Sequence, residues 1–240
     1  LYPTEEITGR VDDNYTTQNR LEEINANSKV QYDLVTDEVE GKAGQMTVDT
    51  IYVVYEYRKA PGIIKIEHKD IDTKEDLIEQ ETRNGYVGEE YTTENKLEEI
   101  NIAYDNKYEL VSEPENKNGE YKREEQIVTY YYQKKLGEVE VNYLEVGTEK
   151  ILAKQEITQD KVDNKYTTVN KLDEINKEYE NKYEFVNTTG AQTEGIYKLE
   201  KQVVNYYYQK KQAKVKVLHV LEGTDVSSPE SVTEVLYPTE

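Results

Sequence analysis

The amino-acid sequence predicts an α+β, β-rich fold made of tandem small modules, each with about four strands and one short helix. Three observations predict it: a tyrosine-containing phrase recurs along the chain, apolar residues alternate with polar ones, and the 240 residues include 23 tyrosines. Alternation at period two indicates half-buried strands, and tyrosine and β-branched residues favour such strands. We expect the modules to be arranged as an elongated rod.

The recurring phrase begins with "YTT" at Tyr15, Tyr91 and Tyr166, which are spaced 76 and 75 residues apart. Its three copies read YTTQNRLEEIN, YTTENKLEEIN and YTTVNKLDEIN. Each copy is followed by a second tyrosine-containing segment and then by a closing run such as IVTYYYQKK. Self-similarity at a nearly constant period is typical of repeat architectures.

The repeat divides the chain into four parts. Residues 61–135 and 136–211 are predicted to be complete modules, residues 1–60 the C-terminal part of a module, and residues 212–240 the N-terminal part of the next. The pentapeptide LYPTE both opens and closes the chain. We therefore infer a parent protein that repeats a three-module block in tandem, with a loop-like insertion at TDVSSPESVTEV.

Strands and turns can be placed within one module. Val139 and Val141 alternate with glutamates, which indicates a half-buried first strand. The glycine-containing turn EVGTEK follows, and a second strand is expected around Ile151 to Ile157. The segments KYEFV and VVNYYYQKK supply two more strands. In the preceding module, Asn118 and Gly119 predict a type I′ hairpin turn.

A short helix is expected between the second and third strands. Thr168 can cap its start, and Leu172, Ile175 and Tyr179 fall on one helical face. One helix laid across a small sheet gives a grasp-like (ubiquitin-like) module. The other face of the sheet is expected to face water.

The tyrosines of the closing run fall on two faces of the last strand. Residues at period two share a face, and we expect the face that recurs in all three units to be buried. The intervening residues Val54, Tyr131 and Tyr207 point the other way, which makes Tyr131 and Tyr207 the candidate ligand-binding aromatics. The predicted buried face comprises Val53, Tyr55 and Tyr57, then Val128, Tyr130 and Tyr132, and finally Val204, Tyr206 and Tyr208.

Composition excludes several classes of function. The chain has 50 acidic and 30 basic residues, for a formal net charge of −20. Such a charge repels phosphate backbones, so we expect no nucleic-acid partner. There are no cysteines, and therefore no disulfides or thiolate chemistry. No apolar run approaches 18 residues, so we expect no membrane span in this segment.

No enzyme motif is present. We find no serine-nucleophile elbow, phosphate loop, zinc spacing or EF-hand pattern, and we expect no catalytic activity. The two histidines, His68 and His219, fall on the position that Tyr143 occupies in the intervening module. Residues that replace a tyrosine within a strand favour a structural role.

Two further chemical possibilities stay open. The segment DIDTKED carries Asp70, Asp72 and Asp76, which could hold a calcium ion in a turn. Because it lacks the glycine and the distal glutamate of an EF-hand, a solvated acidic loop is the preferred interpretation, with no other cofactor expected. An internal Lys–Asn isopeptide bond would suit a cysteine-free surface protein, and each bond would remove one ammonia from the intact mass.

The order of these motifs resembles the MucBP (mucin-binding protein) repeats of Gram-positive surface proteins. The matching features are the V-x-V-x-Y start at Val139, the Gly147-Thr148 pair, ITG ahead of YTT, YELV from Tyr108, and VTYYYQKK from Val128. A Pro-Gly step often follows YTT in that pattern, whereas this chain has a helical segment there. The resemblance implies an extracellular adhesin, cell-wall-attached or secreted by a Gram-positive bacterium, with host mucin glycans or glycoproteins as ligands.

Three functions are consistent with the sequence. The favoured one is an extended stalk that projects distal domains, because neighbouring identical modules are joined with almost no linker. The alternative is a module that binds glycans, mucin or a host protein through its tyrosine-rich face. A minor alternative is a subunit of an extracellular fibre, in which edge strands pair between chains.

Overall fold

A computed structural model describes residues 2–215, 217, 219, 222 and 223. The predicted insertion at residues 224–235 and the second LYPTE copy lie outside the described residues. The elements are β1 (Asn14–Thr16), α1 (Leu21–Ala26), β2 (Tyr32–Leu34), β3 (Ala43–Gln45), β4 (Tyr57–Lys59), β5 (Pro61–Asp70), β6 (Glu81–Tyr86), β7 (Glu90–Thr92), α2 (Leu97–Ala103), β8 (Tyr108–Ser112), β9 (Asn118–Glu120), β10 (Gln126–Lys134), β11 (Leu136–Glu145), β12 (Ile151–Lys161), β13 (Lys165–Thr167), α3 (Leu172–Glu178), β14 (Tyr183–Gly190), β15 (Glu194–Ile196) and β16 (Gln202–Lys210).

The second module is a four-stranded sheet covered by one helix. Its strand order is β6-β5-β10-β8, with β5 parallel to β10 and antiparallel to β6. Side chains along β5 and β10 alternate between buried and less buried positions, as period-two patterning requires. Helix α2 contributes Ile100 to the same core. The core residues are Ile64, Ile66, Leu77, Tyr91, Ile100, Tyr108, Tyr121, Val128, Tyr130 and Tyr132.

The third module follows the same plan. Its strand order is β12-β11-β16-β14, and α3 lies between β13 and β14 in the chain. Val139 and Val141 are buried as predicted, and the turn after β11 contains Gly147 at a φ of +78°, a backbone conformation that glycine adopts without strain. The predicted α+β module of four strands and one helix is therefore confirmed.

Each complete module also contains a two-stranded sheet that the sequence did not predict. The repeated YTT segment forms one of its strands, as β7 or β13, and pairs with β9 or β15. Residues 2–60 show the corresponding pair β1–β3, together with β2–β4 and α1. Ile24 of α1 is buried, as are Ile100 and Ile175 of the other two helices.

Two local predictions were wrong. Thr168 does not cap α3, because the helix begins directly after Lys171. The Thr168 Oγ1 instead bonds Tyr206 Oη at 2.8 Å. Asn118 and Gly119 lie in β9 and not in a hairpin turn. A Cβ at Gly119 would stand 2.9 Å from Tyr91 Oη, so this glycine is needed where the ring packs on the strand.

The chain divides into two compact bodies. The first contains the chain up to Glu140, together with Ile157–Thr167 and Glu194–Val203; the second contains Val141–Glu156, Thr168–Thr193 and the chain from Val204 onward. The division runs through the third module, so the four predicted parts of the chain stay predictions.

Candidate functional site

The hydroxyl groups of the buried tyrosines tie the sheet to the YTT segment and to the start of the helix. In the second module, Tyr130 Oη lies 2.8 Å from Thr93 Oγ1, and Tyr132 Oη accepts the Lys96 N–H at 2.9 Å. Burial raises the pKa of Tyr132 to about 12, so its hydroxyl stays neutral at physiological pH. Equivalent bonds join Thr168 to Tyr206, Lys171 to Tyr208, Thr17 to Tyr55, and Arg20 to Tyr57. These tyrosines therefore have a structural role.

His68 belongs to the same buried network. Its ring stacks on Tyr130 with 5.2 Å between centroids, and its Nδ1 lies 2.8 Å from Tyr132 Oη. Burial, with the nearby Lys96 charge, lowers the pKa of His68, which keeps the imidazole neutral. His68 is 1% exposed, so it packs as a core residue in the position that Tyr143 takes in the third module.

Tyr143 makes a different set of polar contacts in that position. Its hydroxyl donates to Glu156 Oε2 at 3.0 Å and lies 3.2 Å from the Val169 carbonyl. Glu156 also pairs with Lys171 at 2.6 Å. The Lys171 hydrogen bond lowers the pKa of Glu156. This carboxylate is therefore held by two structural partners, Tyr143 and Lys171.

The candidate ligand-binding residues lie on the face opposite the buried tyrosines. Tyr131 and Tyr207 alternate with buried neighbours, and both are half-buried rather than fully exposed. Lys74 Nζ lies 4.6 Å from the centre of the Tyr131 ring, which is a cation–π contact. Part of the Tyr131 ring is therefore covered by its own module. The role of both tyrosines in ligand binding stays a prediction.

Val54 is not the counterpart of Tyr131, contrary to the sequence analysis. We call residues 1–60 the first unit. The second threonine of YTT bonds Tyr55 in the first unit and Tyr130 in the second module. The residue that follows Tyr130 is Tyr131, so the residue in that position of the first unit is Glu56. Val54 is 66% exposed, but the first unit has no aromatic residue at the candidate site.

The three aspartates of the predicted calcium turn are not brought together. Asp70 accepts the N–H groups of Asp72 and Thr73 at 2.7 and 3.1 Å. Although burial by itself raises the pKa of Asp70, these backbone bonds hold it below its ordinary value. Asp76 pairs with Lys69 at 2.9 Å, and Asp72 pairs with a lysine of the next module. Among the described residues, no group of three acidic or histidine side chains is placed to hold a metal ion.

One residue separates the first unit from the second module. Ala60 stands between β4 and β5 and is fully buried. Its N–H donates to the Gln31 carbonyl at 2.9 Å, and its own carbonyl accepts the Val87 N–H at 2.9 Å. Gln31 precedes the junction and Val87 follows it. An ion pair of 2.5 Å between Lys29 and Glu90 also crosses this junction.

Lys135 is the single linking residue at the next junction, between β10 and β11, as Ala60 is at the first. Its N–H donates to the Lys107 carbonyl at 2.8 Å, and its carbonyl accepts the Val162 N–H at 3.0 Å. Asp163 then accepts both Lys134 Nζ at 2.9 Å and Lys107 Nζ at 3.1 Å. The Lys134 hydrogen bond lowers the pKa of Asp163. Each junction is therefore fixed by backbone bonds and by side-chain ion pairs.

Lysine and asparagine side chains also meet near the module ends. Lys135 Nζ lies 2.8 Å from Asn106 Oδ1, and Lys211 Nζ lies 2.6 Å from Asn181 Oδ1. Both contacts are exposed, whereas an isopeptide bond needs a buried lysine, asparagine and acid. The isopeptide bond stays a prediction for intact-mass measurement.

Comparison with known proteins places these modules in a family. A sequence model of the MucBP domain matches residues 1–58, 64–133 and 138–209. The chain belongs to the MucBP domain family. Each matched stretch contains one of the three copies of the YTT phrase, so the resemblance inferred from the motifs is confirmed. Among the described residues, no helix of a MucBP module is long and apolar enough to cross a membrane.

Two relatives of these MucBP modules carry the name Internalin J. The protein from Listeria monocytogenes serotype 4b (strain F2365) is 32% identical over 220 residues, which is 88% of this chain and 21% of that protein. The protein from Listeria monocytogenes serovar 1/2a (strain ATCC BAA-679 / EGD-e) is 29% identical over 217 residues, which is 88% of this chain and 23% of that protein. The chain thus spans about a fifth of the length of these curated relatives.

Two solved structures are also similar to the MucBP modules. Mub-RV is 10% identical with a TM-score of 0.25 and matches 63% of this chain and all of that one. The type 2 repeat of the mucus binding protein MUB from Lactobacillus reuteri is 10% identical with a TM-score of 0.24 and matches 62% of this chain and all of that one.

Proposed function

We propose that the chain is a repeat segment of a Gram-positive cell-surface adhesin, cell-wall-attached or secreted, and that its main role is that of a stalk which projects distal domains. The supporting observation is the junction between modules. One residue links the last strand of one module to the first strand of the next, and that residue is hydrogen-bonded to both sides.

A one-residue linker restricts how far neighbouring modules of a repeat array can reorient. Flexible connections between domains lie in exposed segments crossed by few contacts, whereas Ala60 is fully buried and Lys135 is held by two backbone bonds. Reorienting neighbouring modules would require breaking these bonds together with the ion pairs of Asp163. Nearest-neighbour interfaces of this kind transmit a fixed orientation along a repeat array, which suits a spacer.

Distance measurement by electron spin resonance tests the stalk role. The chain has no native cysteine, so Glu98→Cys and Glu194→Cys would carry the only spin labels, at two exposed positions on either side of the Lys135 junction. We expect one narrow distance distribution. A matched control with four glycine and serine residues inserted after Lys135 should broaden it. A distribution as broad in the unmodified chain as in the control contradicts the stalk role.

A second candidate function is the binding of mucin glycans, glycoproteins or another host protein. Membership of the MucBP family favours it, as does a partly accessible tyrosine at the same place in both complete modules. Binding to mucin and to a glycan array, compared with a Tyr131→Ala/Tyr207→Ala variant, tests it. Saturable binding that is lost in the folded variant supports this function, and binding that survives moves the site elsewhere.

A further inference from the structure

A row of uncharged polar side chains crosses all four strands of the third module on the sheet face opposite the buried tyrosines. Gln155 Nε2 donates to Asn142 Oδ1 at 2.8 Å, and Asn142 Nδ2 donates to Asn205 Oδ1 at 3.0 Å. Asn205 Nδ2 lies 3.5 Å from Thr189 Oγ1. These four residues belong to β12, β11, β16 and β14, which is the strand order of the sheet. We call Gln155, Asn142, Asn205 and Thr189 the polar row.

The polar row is accessible to solvent and lies beside a tyrosine. Asn142 and Asn205 each stand between two buried residues and are themselves half-buried, while Gln155 and Thr189 are exposed. Side chains at period two share one face of a strand, so Tyr207 lies on the same face as Asn205. The two positions are separated by about 7 Å along β16. The polar row and the Tyr207 ring therefore form one continuous surface.

The second module has a charged side chain in the middle of the corresponding row. Gln80 Nε2 and Thr129 Oγ1 both donate to Glu67, each at 3.1 Å. Counting from the YTT phrase, these three residues take the places of the first three members of the polar row. Lys69 Nζ also lies 3.7 Å from Glu67 Oε1. The second module thus has an ion pair where the third has uncharged amides.

Access to the neighbouring aromatic ring also differs between the two modules. Lys74 Nζ lies 4.6 Å from the centre of the Tyr131 ring, whereas Glu149 takes the place of Lys74 in the third module. Both residues have a positive φ, of 63° and 54°, which supports this correspondence. Among the described residues, no cation lies over the Tyr207 ring. A ligand can therefore reach Tyr207 without displacing a lysine.

Amide groups beside an accessible phenol ring suit a ligand that is rich in uncharged hydroxyl groups. An amide has two N–H donors and an oxygen with two lone pairs, so Gln155 and Asn205 keep bonding capacity beyond their bonds within the row. Those bonds hold the amides in fixed orientations, and such preorganisation lowers the entropy cost of binding. Tyrosine adds a rigid amphipathic surface at little cost in conformational entropy.

Charge disfavours an acidic ligand at this surface. The chain has a formal net charge of −20, which repels the carboxylate of a sialic acid and the sulfate of a sulfated sugar. Carboxylates and other anions are bound most strongly by arginine and lysine, and the polar row contains neither. The surface therefore fits a glycan whose exposed sugars are uncharged.

We propose that the third module binds uncharged glycans at the polar row and Tyr207, and that the second module does not bind them. The proposal rests on the proposed binding of mucin glycans. It assigns this binding to one of the two complete modules and to one chemical class of glycan. Tyr131 is then a residue that Lys74 covers, and Tyr207 is the tyrosine that contacts the ligand.

Sialidase treatment of mucin tests the class of glycan. Binding of the whole chain to immobilised mucin is measured before and after removal of the sialic acids. Binding should stay the same or become stronger, because the treatment removes negative charge and uncovers neutral sugars. A loss of more than about threefold in affinity would overturn the proposal. Binding that survives complete removal of the glycans would identify a protein ligand and would also overturn it.

Single substitutions in the two modules test the location of the site. Asn205→Ala and Tyr207→Ala should each weaken binding to sialidase-treated mucin by at least about fivefold, as expected for one lost hydrogen bond or ring contact. The matched variants Thr129→Ala and Tyr131→Ala in the second module should change the affinity by less than about twofold. Equal losses in the two modules, or a loss in the second module alone, overturn the proposal.

A variant that copies the row of the second module guards against misfolding. Asn142→Glu/Asn205→Thr places in the third module the residues that the second module already accommodates, so α3 should keep its protection from hydrogen exchange. Binding should fall as in Asn205→Ala. Binding that persists in this variant and in Tyr207→Ala overturns the proposal but leaves the glycan-binding function in place. If the unmodified chain binds no mucin before or after sialidase treatment, both are overturned.

Discussion

Removing the hydroxyl group of Tyr132 should destabilise the second module through two partners at once, of which His68 is buried and the Lys96 N–H is partly buried. Tyr132→Phe keeps the ring but leaves the Lys96 N–H and His68 Nδ1 without the bonds of 2.9 and 2.8 Å that they make to Oη. Each buried group left unsatisfied costs about 1–3 kcal/mol. We therefore expect a loss of about 2–4 kcal/mol for the pair, taking the cost as less than fully additive.

This loss is large on the scale of one module. A module of 75 residues has a free energy of unfolding of about 4–11 kcal/mol at the usual stability per residue. The amides of α2, which begins directly after Lys96, should then exchange about 30- to 1,000-fold faster, since each 1.4 kcal/mol is roughly a factor of ten. Hydrogen exchange read by mass spectrometry resolves each module separately, which a single unfolding curve of three units does not.

Tyr208→Phe in the third module is the matched control. Tyr208 Oη bonds the Lys171 N–H at a longer 3.3 Å and donates to Asn170, which is exposed to water. We expect a loss of about 1–2 kcal/mol there, because water can replace one of the two partners. An α2 exchange rate that changes less than about threefold in Tyr132→Phe would refute the reasoning, because that corresponds to under 1 kcal/mol.

Three further predictions concern pH, a junction and a glycine. Burial lowers the pKa of His68 in the folded state. The second module should therefore lose stability as the pH falls below the unfolded histidine pKa of about 6.5, because the unfolded chain then binds a proton that the folded chain does not. Thermal unfolding at about pH 7 and about pH 5 should show this loss, and His68→Tyr should abolish the pH dependence. Asp163→Asn should broaden the spin-label distance distribution across the second junction, because the carboxylate charge between two lysines is lost. The helix amides of both modules should stay protected from hydrogen exchange. Loss of this protection throughout the second module would contradict a junction role. Gly137→Ala should destabilise the third module by about 1–3 kcal/mol, because the new methyl group would clash with the Lys198 carbonyl oxygen and stand 3.0 Å from Tyr197 Cβ. An unchanged denaturation midpoint would show that the Lys198 backbone can move aside.

The repeated parts of the fold could be predicted because their patterns are long enough to carry a period. The strand β10 shows alternation over nine residues, and the buried face built on Val128, Tyr130 and Tyr132 follows from it. The small β7–β9 sheet could not be predicted, because its strands of three residues are too short to show a period. The pair at Asn118 and Gly119 was misassigned because a glycine needed for ring packing has the same local signature as a hairpin turn.

The candidate site was only partly predictable. Alternation placed Tyr131 on the correct face, but the sequence gives no sign of the Lys74 contact that covers part of its ring. The ion pairs of Asp163 were missed for a related reason. Its partners, Lys107 and Lys134, stand 56 and 29 residues away, and the corresponding residue in the second module is Gly88, so no repeated motif marks the site.

The exchange rate of one backbone amide tests the central claim most directly, namely that the MucBP modules are joined by fixed junctions. The Val162 N–H donates to the Lys135 carbonyl across the junction at 3.0 Å. If the junction is fixed, this amide should exchange as slowly in nuclear magnetic resonance experiments as the neighbouring amides of β11. Exchange close to the rate of an unstructured peptide would show that the junction opens freely, and it would contradict the stalk role.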